Sequence, residues 1–171
     1  MVLPDGTFQF SSLGAGQYTL CAAAPVSIWL GSCEWGGKGT SVSLTQSQPS
    51  ATVSIVLTKG AGINVRVIDP GGLLAANEGK TPGAHLLVGV GMDNLVFRPA
   101  AILSQAGGTR TYQIAVPFDH PVKLSIASSF FQLSDITGKA LAKFGNLIPV
   151  LVPSGQEPPI VVLNLTGSAK P

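Results

Sequence analysis

The sequence predicts an all-β protein built as two antiparallel β-sandwich modules in tandem, the first of them incomplete. Three observations carry that reading. Apolar residues recur at every second position along most of the chain, and Gly or Pro breaks the runs about every 8 to 12 residues. The 21 Gly and 13 Pro among 171 residues supply those breaks. Charged residues make up only 11%, against roughly 25% in an ordinary soluble domain, so Ser, Thr, Gln and Asn do most of the solvation. An apolar content of 45% is ample for a core and argues against disorder.

Taken in order, Phe8 and Phe10 alternate with Thr7 and Gln9. Tyr18, Leu20 and Ala22 share a face, and Val42 and Leu44 follow after a loop. Val53, Ile55 and Leu57 alternate with Thr52 and Ser54 and end at Lys59-Gly60-Ala61-Gly62. A second series opens with Ile63, Val65 and Val67 and turns at Asp69-Pro70-Gly71-Gly72. Further strands are read at 85–90, 95–103, 110–116, 122–127, 148–152 and 160–165, with Gly107-Gly108 as a hairpin signal. Only 135–144 looks helical, through Lys139-Ala140-Leu141-Ala142-Lys143, and Gly138 and Gly145 limit it to one short turn.

The hinge at 59–62 divides the chain into 1–59 and 60–171. The second part is long enough for a complete sandwich. The first holds four or five strands, and its entry at Pro4-Asp5-Gly6 reads as the middle of a domain whose first strands are missing. An unpaired strand edge invites association, so something should cover it.

Asp5-Gly6-Thr7-Phe8-Gln9-Phe10, followed by Leu13-Gly14-Ala15-Gly16-Gln17-Tyr18-Thr19-Leu20, resembles the carboxypeptidase regulatory-like domain family. That family is a transthyretin-like β-sandwich with a signature near D-G-x-F-x-F, then L-x-P-G-x-Y-x-L; Ala15 stands where the family often has Pro. The resemblance covers residues 5–22. It implies that 1–59 is the C-terminal part of such a module and that the chain belongs among secreted and surface bacterial proteins, where the family serves as accessory modules without catalytic residues. Residues 60–74 look like the opening strand and turn of another module, so 60–171 is read as a complete Ig-like sandwich. Leu13, Gly16 and Tyr18 also fit a tyrosine corner, in which Gly16 permits a tight turn and the Tyr18 hydroxyl returns to the backbone.

Cys21 and Cys33 are twelve positions apart. The spacing excludes a CxxC redox motif, and two thiols fall short of the four ligands of structural zinc. A disulfide is the simplest use, worth about 3 kcal/mol for a loop of this size. It places the protein outside the cell, at the cell surface or in a periplasm. Residues 1–20 hold Asp5 and no Lys or Arg, so no secretory leader is read there. No apolar run reaches 18 residues, so no membrane-spanning helix is expected.

Net charge is +2 with no basic block, which gives no footprint for nucleic acid. No GxSxG, HExxH or P-loop occurs. Asp119-His120-Pro121 is an acid–histidine neighbour pair, but Pro117 and Pro121 place it in a turn, where Asp119 serves the backbone better than a reaction. Eight acids without a DxDxD pattern leave calcium weakly supported, so no cofactor and no metal are expected. Asn164-Leu165-Thr166 matches a glycosylation sequon inside an expected strand and reads as chance. The cluster with binding chemistry is Trp29, Cys33, Glu34, Trp35 and Lys38: indole faces beside an acid suit a sugar ring. Against that, Trp29 lies in an apolar run suited to the core, and Trp35 can pack over a disulfide.

The reading is therefore a non-catalytic extracellular structural or adhesion protein. Its partners would be other protein chains, in a homo-oligomer or polymer completed by a neighbour's strand, or upstream domains of a longer chain. The alternative is a carbohydrate-binding module using Trp29, Glu34 and Trp35.

Overall fold

The computed structural model describes residues 5–24, 28–92, 96–142 and 146–168. It bears out the all-β class. Thirteen strands and one five-residue helix are found among the described residues.

The larger part begins with β5 (Ala61–Ile68), whose alternate residues Ile63, Val65 and Val67 are fully buried. After it come α1 (Leu73–Asn77), β6 (Leu87–Met92), β7 (Val96–Pro99), β8 (Ala101–Ala106) and β9 (Thr109–Val116). The chain then runs through β10 (Val122–Ala127), β11 (Phe131–Asp135), β12 (Asn146–Val150) and β13 (Ile160–Ser168). A four-stranded sheet has the order β12-β10-β6-β7, and a five-stranded sheet the order β11-β13-β5-β9-β8. Both sheets turn their apolar faces into one cluster: Val65, Ile114 and Leu163 from one, Val90, Leu124 and Ile126 from the other. That is sandwich packing, and period-two patterning creates it.

Most sheet neighbours are antiparallel. The pair β5–β13 is parallel, with Ile160 beside Asn64 and Asn164 beside Ile68. The 95–103 run is split, because β7 and β8 belong to different sheets; Leu95 lies outside the described residues. Pro99 ends the first piece, having no N–H for a further ladder bond, and Ala100 crosses over with its N–H on the Val88 carbonyl at 2.8 Å. Gly107 and Gly108 make the hairpin turn between β8 and β9, with φ of 57° and 70°. Two successive left-handed residues are what a two-residue hairpin of this hand requires.

The helical reading of 135–144 is overturned over its described part, 135–142. Asp135 ends β11, and its carboxylate accepts the amides of Thr137 and Lys139 at 2.8 and 3.0 Å. Gly138 takes φ 85°, and Ser134 bridges back to Ala140. An Asp that bonds the backbone just ahead of it favours a turn over a helix. The helix forms instead at α1. There the Asp69 carboxylate accepts the Leu73 and Leu74 amides, each at 2.9 Å, and Leu74 is buried.

The first part is sparser. It holds β1 (Gly16–Leu20), β2 (Trp29–Leu30), β3 (Thr40–Leu44) and β4 (Thr58–Lys59). These make two separate two-stranded sheets, β1–β3 and β2–β4. The expected strands at 7–10 and 52–57 do not form: Phe8 makes one isolated bridge without extending into a ladder, and 52–57 has no ladder partner among the described residues. Among the described residues 24 hydrophobic side chains are buried, and of these only Leu30 and Leu44 precede residue 60.

Candidate functional site

The loop between β2 and β3 is the most constrained part of the N-terminal region. Cys21 and Cys33 are joined in a disulfide with Cα atoms 5.4 Å apart. Backbone bonds tighten it: Ser32 N–H to Ala22 at 2.9 Å, Gly37 N–H to Glu34 at 2.9 Å, and Gly39 N–H to Ser32 at 3.2 Å. The Ser32 hydroxyl accepts the Ala22 amide at 2.9 Å. Gly39 has φ 68°, and a Cβ there would lie 2.6 Å from the Cys33 sulfur. No other residue fits that position without moving the bridge.

This loop is docked on the sandwich formed by β5 to β13. Glu34 pairs with Arg98, and its carboxylate also accepts the Gly31 amide at 3.0 Å. Trp35 packs against the main core and meets the His120 ring edge-on at 6.1 Å. The Trp35 indole N–H is buried with no partner among the described residues. Beside the loop opens a cleft of about 390 Å³ whose walls include Leu30, Trp35, Lys38, Thr40, Ile55 and Pro117.

The sequence-predicted binding residues are thus only partly united. Glu34, Trp35 and Lys38 line the cleft; Trp29 does not. Trp29 is 43% exposed in β2, so it does not fill the core either. The Arg98 and Gly31 bonds both fall on Glu34 Oε2, so Oε1 keeps its capacity to accept a further hydrogen bond. Tyr18 is half-buried, and its hydroxyl donates to the Gly14 carbonyl at 2.8 Å. Gly16 is next to that ring, while Leu13 is 43% exposed.

Asp119 does not address His120. Its carboxylate accepts the Ser154 amide at 3.0 Å and the Ser154 hydroxyl, which holds its pKa below the usual 3.8. Asp119 adopts φ 57°, and its own N–H reaches the Val152 carbonyl at 2.9 Å. The pair therefore ties the β9–β10 turn to the segment after β12. Asn164 of the sequon is half-buried in β13, and its amide donates to the Asp135 carbonyl at 3.3 Å. Among the described residues no three His, Cys, Asp or Glu side chains group as a metal site, and no helix is long and apolar enough to cross a membrane.

A cluster that sequence reasoning missed surrounds Arg110, 4% exposed in β9. The guanidinium pairs with Glu78 and donates to Gln105 Oε1 at 3.0 Å and to the Tyr112 hydroxyl at 3.2 Å. Burial works against the charge, but the bonds to Tyr112 and Glu78 outweigh it and hold the guanidinium pKa above its ordinary value. Burial pushes the Tyr112 phenol up. Arg110 lines a second opening of about 270 Å³ beside Asp69 and Gly108.

No protein-family model matches the chain, and no curated protein matches it.

The disulfide yields a prediction. A Cys21→Ser/Cys33→Ser chain should lose about 3 kcal/mol of resistance to unfolding in its first part, because a loop of this size is no longer closed in the unfolded state. Amide exchange should speed up at β1–β3 and the 31–39 loop and stay slow in β5, β9 and β10. Equal acceleration throughout would refute a local role for the bridge.

Proposed function

We propose that the chain is a non-catalytic extracellular structural protein that spaces or joins larger assemblies through β-sandwich modules, its N-terminal module being completed by a strand from another chain. The observation that carries this reading is an imbalance. Residues 61–168 have a closed core, whereas the described part of 5–59 buries two hydrophobic side chains and leaves the outer edges of β1 and β3 without neighbours. Phe10, Leu13 and Trp29 are exposed on the same stretch at 59%, 43% and 43%. Open edges with nearby apolar side chains are sites for strand addition. The disulfide supports an oxidising location, and the motif at 5–22 supports reading the first part as a carboxypeptidase regulatory-like module.

The test is the mass distribution of the purified chain by light scattering without reductant. Dimers or larger assemblies at micromolar concentration are the expected result. A chain that stays monomeric while its first 59 residues unfold cooperatively would overturn the proposal.

A further inference from the structure

Resting on the reading that the first module is completed between chains, we infer that residues 51–57 form the joining edge, pairing antiparallel with the same residues of a second copy across a two-fold axis.

The segment has the pattern of a strand without the ladder. Val53, Ile55 and Leu57 are half-buried, while Thr52, Ser54 and Val56 are exposed, Val56 at 83%. Among the described residues, no backbone hydrogen bond reaches any position from 51 to 57. One face thus lies on the protein, and the amides and carbonyls along its sides are left to solvent.

The usual protections of such an edge are a lysine, a proline or a bulge, and 51–57 contains neither of the two residues. From Thr40 to Thr58 there is no Asp, Glu, Lys, Arg or His at all. A partner strand rich in either charge would find nothing to pair with. A second copy brings an equally uncharged strand, so no side chain is left buried against a lone charge.

Register points the same way. Side chains alternate with period two, so a pairing must set inward residues beside inward residues. Centring the two-fold axis on Ser54 does this: Val53 faces Ile55 of the second copy, Thr52 faces Val56, and Ser54 faces Ser54. Lys59 then falls opposite Pro49, and the lysines of the two copies stay apart. Pro49 has no N–H and ends the ladder on that side. Such an isologous contact closes at two copies and does not propagate.

Two variants test this. Ser54→Lys places like charges directly opposite one another on an exposed position that the fold does not use, and should shift a dimer to monomer with an unchanged circular dichroism spectrum. Ser54→Cys places two thiols across the axis at the Cα spacing of directly opposed strand residues, which a disulfide can span. With both native cysteines already paired, it should yield a covalent dimer on mild oxidation, whereas Thr52→Cys should not. A Ser54→Lys chain that still dimerises, or open polymers in place of dimers, would overturn this edge while leaving completion between chains standing. A wild-type monomer would overturn this edge, and one whose first 59 residues also unfold cooperatively would overturn completion between chains as well.

Discussion

Leu124→Ala should lower the free energy of unfolding by about 2–5 kcal/mol, the range for emptying a leucine site in a packed core. Leu124 lies mid-strand in β10 at 0% exposure, flanked by β6 and β12, and points into the cluster shared by both sheets. Because the facing sheets are rigid ladders, they can collapse into the vacated space only partly, which favours the upper half of that range. Urea denaturation followed by far-ultraviolet circular dichroism measures the effect. A loss under 1 kcal/mol would mean that the two sheets do not share a core.

Arg110→Ala should cost about 3 kcal/mol, the lower end for breaking a buried ion pair by removing one partner. The variant strands the buried Tyr112 hydroxyl, which the guanidinium now satisfies, while the exposed Gln105 can turn to water. Glu78 is less affected, since its side chain is 30% exposed and can turn to water. For the same reason Glu78→Gln should cost less than Arg110→Ala, even though both remove the ion pair. The same denaturation experiment orders the two variants, and the reverse order would show that the charge pair outweighs the hydrogen bonds.

The contrast between these two sites shows what could be read from the chain. Leu124 announces itself: it stands in an alternating run at 122–127, and β10 has those bounds. The Gly107-Gly108 turn is equally legible, because the conformation it needs is local. Arg110 offers no such sign. An arginine in a strand reads as solvated unless its partner is known, and Glu78 is 32 positions away. Glu34 and Arg98 are 64 apart, so the docking of the disulfide loop was hidden for the same reason. The turn at 135–142 reads as a helix in sequence because Ala and Lys favour one, while the decisive group is one Asp135 side chain. At 52–57 the alternation is real and the ladder absent: pattern records which face is covered, and a ladder also needs a neighbour.

The parallel pair of β5 and β13 has a mechanical consequence. The two strands that open and close the larger sandwich lie side by side and run the same way. Tension applied to the start of β5 and the end of β13 pulls them along their lengths in opposite senses. The bonds between positions 64–68 and 160–164 are then strained together, not opened one at a time like a zip. A domain strung this way between two attachments yields only when the whole ladder gives, which suits a link in a chain under pull.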